Sequence, residues 1–376
     1  MRNESKKNKT GVLPSQYIEE MIAAGEILNA EKTSVQPASI DLSISEEGYR
    51  MKGTFLPRKN ESVRDIIKWG ALYRMNFDNP LEKNGVYLIR LNEKLNLPPD
   101  VFAFSYPKSS TGRVDLQARI IVDNYSRFDS IPAGYRGELW LEVVPRSFLV
   151  KLNFGDKLNQ IRFFNGEAGI SRDEMCKIYT EYRLFFDENS NFIPMEEKLE
   201  RNSRCSVVMS INLDGGEADK VIGYKNLLVD QVLDFSKRNH YNPEDFFKPI
   251  YPPKDGKLAL ERGSFYIFST KEFIRVPVEF AAEMAAYDIS SGEFRSHYAG
   301  FFDPGFGYGK DGSIKGRQAV LEIRCHDNGF ILRDGQSICR MDFERLVEPA
   351  SFSYGEEIGS HYADQSGPKL SKHFRF

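Results

Sequence analysis

Tyr106–Arg113 reads YPKSSTGR, and Tyr287–Arg295 reads YDISSGEFR, a second tyrosine followed by paired serines and an arginine. Other pairs line up around these stretches at nearly the same separation. Gly85-Val86-Tyr87 resembles Gly263-Ser264-Phe265, and Leu97-Pro98-Pro99 resembles Val276-Pro277-Val278. Leu141-Glu142-Val143 matches Leu321-Glu322-Ile323, Gly155 matches Gly335, and Phe163 matches Phe343. A collinear series at nearly constant spacing is the mark of an internal duplication, so the chain is two copies of one module.

The module reads as all-β. Short apolar runs at Gln36–Ile44, Val86–Leu91, Val101–Ser105, Ile120–Val122, Leu139–Val144 and Leu158–Phe164 are separated by Gly, Pro, Asn and Asp. That pattern predicts a barrel or sandwich. Tyr17, Ile18, Met21 and Ile22 fall at helical spacing, which predicts a helix within Pro14–Asn29, with Ser15 as its cap and Gly25 as its stop. The charged stretch DENSNFIPMEEKLERNSR (187–204) predicts the boundary, giving one module over residues 1–190 and another over 200–376. A helical insert is expected around Leu227–Arg238.

Composition narrows the function. With 51 basic and 54 acidic residues and a net charge of −3, the chain lacks a nucleic-acid footprint. No apolar run approaches the ~20 residues of a membrane span. The polar start MRNESKKNKT has no signal-peptide core, which points to the cytoplasm. The cysteines at 176, 205, 325 and 339 form no CxxC pair, and residues 1–239 contain no histidine. A zinc-activated water held by His and Cys ligands is therefore not expected in the first half.

The chemistry-bearing residues gather in the repeated stretches. Lys108 and Arg113 can bind phosphate, and Ser109 and Ser110 can hold a water or an oxyanion. A glutamate on a following strand, Glu142 or its repeat Glu322, can shuttle protons. Arg113 reads as an exposed turn cation. The copies have diverged in complementary ways. The second loses the lysine and shifts the arginine to Arg295; it carries an Asp-Pro-Gly turn at Asp303, where the first has Ile131-Pro132-Ala133-Gly134.

Taken together, Gln36–Leu42 (QPASIDL), Lys108–Arg113 (KSSTGR), Ala299–Phe306 (AGFFDPGF), Val320–Glu322 (VLE) and Tyr362–Pro368 (YADQSGP) resemble the dCTP deaminase branch of the dUTPase-like β-barrel superfamily. The resemblance implies two distorted, jelly-roll-like β-barrels with a few short helices. It also implies a homo-oligomer, since the family builds trimers of barrels with sites between neighbouring barrels. The reaction it implies is hydrolysis of the 4-amino group of dCTP to dUTP and ammonia, with Mg2+ accompanying the triphosphate and no zinc. Carried over by position, Ser109 and Arg113 orient a catalytic glutamate and its water, with Glu142 and Glu322 both matching that glutamate. Lys108, Ser110, Thr111 and Gly112 belong to the nucleotide-binding turn. Asp303 matches the sugar-contacting aspartate, and Val320 and Leu321 lead into Glu322. Tyr354, His361 and Gln365 match a tail that closes over the nucleotide.

Each copy keeps a motif the other has lost, so the expected site uses Lys108, Ser109, Ser110 and Arg113 of the first copy with Asp303, Glu322 and the tail of the second. Two other readings stay open. One is dUTP diphosphate hydrolysis, alone or after deamination. The other is a non-catalytic nucleotide-binding barrel, which predicts loss of the Ser-Arg-Glu set.

Overall fold

The computed structural model describes residues 9–198, 206–216, 219–286, 294–296, 300–325, 329–355 and 366–375, with the backbone alone at 286 and 294–296. The chain forms two compact units. The first comprises Met1–Ala168, Val229–His240 and Leu346–Ser351; the second comprises Gly169–Leu228, Tyr241–Arg345 and Phe352–Phe376.

The first unit is a nearly closed barrel. Its strands are β1 (Ile40–Met51), β2 (Tyr87–Asn96), β3 (Val101–Pro107), β4 (Leu116–Ile121), β5 (Ser130–Ile131), β6 (Arg136–Pro145) and β7 (Lys157–Asn165). They pair in the order β4-β6-β2-β1-β7-β3-β5. Leu139–Pro145 is buried throughout, because β6 is covered on both faces. A half-covered strand would alternate instead.

The second unit repeats this plan. Its strands are β8 (Val207–Ser210), β9 (Phe265–Ile274), β10 (Phe280–Ala286), β11 (Phe294–Ser296), β12 (Phe301–Phe302), β13 (Arg317–Cys325) and β14 (Ser337–Arg345). They run as β11-β13-β9 and β8-β14-β10-β12, joined by a bridge between Ile211 and Thr270. This is the first order with each strand replaced by its repeat. Side-chain locks repeat as well. The amide of Glu82 donates to the Tyr87 hydroxyl (3.0 Å), and that of Glu261 donates to the Tyr266 hydroxyl (2.8 Å). Buried Glu93 accepts from the amide and hydroxyl of Ser43, as buried Glu272 does from those of Ser210.

Three local expectations change. The first helix spans Ser15–Ala23, but Pro14 is its cap residue and Ser15 lies inside it. The Ser15 hydroxyl bonds instead to the Ser351 hydroxyl (2.8 Å). The segment Leu227–Arg238 contains no helix. Val232–Asp234 runs parallel to Leu149–Lys151 as a strand. Leu233 and Phe235 are buried while Val232 faces outward, a period of two that the clustered apolar residues disguised as a helical one. Charged 187–204 does not mark where the units divide by contact. The helix Arg172–Tyr182 already belongs to the second unit, and its Met175, Ile178 and Tyr179 enter that unit's core.

Candidate active site

In the first barrel, β3 ends at Pro107 because proline has no amide for the ladder. Lys108 stays extended and leads into one helical turn, Ser109–Gly112. That turn is closed by the amides of Thr111 and Gly112 on the Lys108 carbonyl (2.8 and 3.0 Å) and by the Arg113 amide on the Ser109 carbonyl (3.1 Å). The Lys108 amide and the Thr111 hydroxyl both donate to the Leu158 carbonyl at 2.8 Å, which pins the turn to β7. The Lys108 ammonium pairs with the carboxylate of Asp41 on β1. Ser110, Thr111, Gly112 and Arg113 are buried. Arg113 is only 4% exposed, which corrects its reading as a surface cation. It ends a turn folded under the barrel wall, and no periodicity in six residues reveals that.

Glu142 lies on β6, fully buried, opposite Arg119 of β4. Its Oε1 accepts from Arg119 Nη2 (2.5 Å) and Nε (3.2 Å). Its Oε2 is buried with no hydrogen-bond partner among the described residues. The guanidinium of Arg119 stacks on Phe128, 3.6 Å from the ring centre. A carboxylate forked by one arginine and shut in apolar surroundings is held ionised.

The second barrel supplies Glu322 on β13. It is 3% exposed and stands opposite Ile267 as Glu142 stands opposite Leu88. Val320 and Leu321 precede it on the same strand. Across the repeat, Arg119 falls within His297-Tyr298-Ala299-Gly300, where no arginine occurs. The forking arginine is therefore a first-copy feature.

Asp303 opens the turn Asp303-Pro304-Gly305 and is 7% exposed. The Phe306 amide closes the turn on the Asp303 carbonyl (3.1 Å), and the Gly305 amide ties it to the Val276 carbonyl (2.9 Å). Gly305 has φ +94, and a Cβ there would sit 2.8 Å from Ser353 Cβ and 3.0 Å from the Tyr354 nitrogen. Only glycine fits. The tail begins on this turn. The Tyr354 amide donates to the Pro304 carbonyl (2.8 Å), and the Tyr354 ring lies 5.6 Å from that of Phe306. His361 and Gln365 lie outside the described residues.

The sequence is matched over residues 9–167 by the model of the N-terminal domain of 2'-deoxycytidine 5'-triphosphate deaminase, and over 173–374 by that of its C-terminal domain. The chain belongs to the 2'-deoxycytidine 5'-triphosphate deaminase family. A Halobacterium salinarum protein named "dCTP deaminase, dUMP-forming" is 32% identical over 153 residues, 38% of this chain and 74% of that protein. A Streptomyces avermitilis protein of the same name is 30% identical over 151 residues, covering 38% and 75%. The crystal structure of the Agrobacterium tumefaciens 2'-deoxycytidine 5'-triphosphate deaminase superposes with a TM-score of 0.81 at 35% identity, over 92% of this chain and 100% of that one.

Among the candidate residues of this family member, the first barrel gathers Lys108 through Arg113 on one turn, and β6 carries Glu142. The second barrel gathers Asp303 and Tyr354 on one turn, and Val320, Leu321 and Glu322 share one strand. Sequence reading missed Asp41 and Arg119 as partners. Asp41 sits in the QPASID block and could have been paired with the one lysine of the turn. Arg119 becomes visible only once the β4–β6 register sets it against Glu142.

Proposed function

We propose that this family member hydrolyses the 4-amino group of dCTP to give dUTP and ammonia, with Glu322 as the acid/base. The observation that carries the assignment is the contrast between the two glutamates: Arg119 forks Glu142, and the second copy has no arginine at the matching positions. An arginine-bound carboxylate is a poor proton acceptor, whereas the acid/base must take a proton and return it.

The steps follow from the bonds that change. Water adds to C4 while the carboxylate takes one of its protons, and N3 is protonated as the tetrahedral centre forms. The carboxyl group then passes the remaining proton to the departing amine, the C4–N bond breaks, and ammonia leaves with a C4 carbonyl in its place. A positioned acid/base supplies roughly 10²–10⁴-fold of rate. Alignment of the water and electrostatics in a dry site supply the rest. Ser109 and Arg113 hold the water and the carboxylate, and Asp303 takes the sugar. Lys108, Ser110, Thr111 and Gly112 meet the phosphates. Mg2+ enters on the triphosphate, and the protein supplies no zinc to the base. Val320 and Leu321 set the strand against the base, and Tyr354, His361 and Gln365 complete the nucleotide contacts. The working form is a homo-oligomer.

A second reading, deamination followed by diphosphate release, is favoured by the dUMP-forming names of the relatives. Against it, Ile131-Pro132-Ala133-Gly134 lacks the aspartate that would orient water for that step. Incubation with dCTP and Mg2+, assaying ammonia and diphosphate together, separates the readings. Ammonia with dUTP and no diphosphate is expected. Equal amounts of both would establish the dUMP-forming reaction, and neither product would refute deamination.

A further inference from the structure

The repeat lets each place in one barrel be compared with its twin in the other. Stepping along the strands from the matched glutamates, Arg90 opposite Trp140 corresponds to Ser269 opposite Val320. Likewise, Lys94 opposite Glu138 corresponds to Phe273 opposite Gln318. In the first barrel this place is filled by ions. Arg64 bonds to Glu138 (2.8 Å) and Glu47 (3.1 Å), Arg90 bonds to Glu47 (2.9 Å), and Lys94 bonds to Glu138 (3.1 Å). Arg64 also covers the Trp140 ring.

In the second barrel the same place is a cavity of about 430 Å3. Serine, phenylalanine and glutamine stand where arginine, lysine and glutamate filled the first. One wall comes from a longer route between Ile211 and Tyr224, the counterparts of Ile44 and Tyr49, and this route brings in Gly215, Lys220 and Ile222. Another wall is Ser366–Lys369. It is held there by the Gly367 amide on Gln318 Oε1 (2.8 Å), while Gln318 Nε2 donates to the Thr270 carbonyl (2.7 Å). None of the residues assigned to dCTP lines this cavity.

We propose that the cavity is a second binding site, for a nucleoside monophosphate. Its volume falls in the ~300–1,000 Å3 range of small-molecule sites. Tyr224 and Phe273 offer aromatic surface to a base, and Asn212 and Ser269 offer polar groups to its edge. Lys220 and Lys369 outnumber the single acid, Glu188, and so favour a phosphate. The first barrel cannot hold such a ligand, because its own arginines and glutamates occupy the space.

The test is calorimetric titration of the full chain with AMP, GMP, CMP and UMP in turn, each to about 1 mM, the weak end of specific affinity. At least one is expected to bind. Lys220→Glu, an exposed change, is expected to weaken it at least ~10-fold through charge reversal. Ser269→Arg restores the first-copy residue and is expected to abolish binding while dCTP turnover stays within about threefold. On Glu322→Gln chains, excess dCTP is expected to leave the bound monophosphate in place. Absence of heat with all four nucleotides overturns the proposal. So does binding unchanged by Lys220→Glu, or displacement by dCTP. If Ser269→Arg does not fold, the Lys220→Glu titration decides. This outcome is independent of the ammonia assay, so the two readings fail separately.

Discussion

Replacing Arg119 with alanine isolates the interaction that separates the two copies. Glu142 would lose both guanidinium hydrogen bonds on Oε1, its Oε2 already has no partner, and the residue is 0% exposed. Removing one member of a buried ion pair costs ~3–5 kcal/mol. The arginine side chain is 21% exposed, so water partly replaces it, and the low end, ~3 kcal/mol, is the working figure. Loss of the stack on Phe128 adds about 1 kcal/mol. Both tryptophans, Trp69 and Trp140, belong to the first unit, and Trp140 is fully buried. Tryptophan fluorescence during urea unfolding therefore reports that barrel. With a slope of about 2 kcal/mol per M, the midpoint should fall by roughly 1.5–2 M. The double variant Arg119→Met with Glu142→Gln removes both charges and should recover most of the loss. A shift under about 0.5 M for Arg119→Ala, near 1 kcal/mol, would refute the view that Glu142 depends on this arginine.

Arg113→Lys keeps the charge but not the fork; it should lower kcat for dCTP at least ~10²-fold, with circular dichroism little changed, and a kcat within about threefold of the parent would exclude Arg113 from the site. Gly305→Ala forces a Cβ onto Ser353 and Tyr354 at φ +94; it should cost about 1–3 kcal/mol and raise KM for dCTP, and an unchanged KM would detach the turn from substrate binding. Burial raises the Glu93 carboxyl above its ordinary value, against the opposing pull of Ser43. Its neutral form therefore favours the fold, a contribution fully present below the unfolded value and lost as pH climbs through the raised native one. Relative to Glu93→Gln, the parent should accordingly lose stability from about pH 4 to pH 8, and a parent that gains on the variant over that range would contradict the assignment.

The duplication and the barrel were legible because they rest on collinear spacing and period-two runs, both local signals that survive divergence. Glu142 and Glu322, Ser109 and Ser110, and Asp303 could be named because each sits in a short block with a recognisable turn or strand around it. Arg119 could not, since its role depends on standing across a strand pair from Glu142, and register is not written in either strand alone. The burial of Arg113 is likewise tertiary, set by the pinning of its turn to the Leu158 carbonyl. The segment 232–235 misled because a short run of apolar residues satisfies two periods at once. A parallel neighbour, Leu149–Lys151, decided between them.

The central claim is that Glu322 carries the protons and Glu142 is held by its arginine. Glu142→Gln and Glu322→Gln are nearly isosteric, and each can be checked for folding by circular dichroism before dCTP turnover is measured by ammonia release. Glu322→Gln is predicted to lose at least ~10²-fold in kcat, the scale of one acid/base group, while Glu142→Gln stays within about threefold. The reverse pattern, with Glu142→Gln inactive and Glu322→Gln active, would contradict the account.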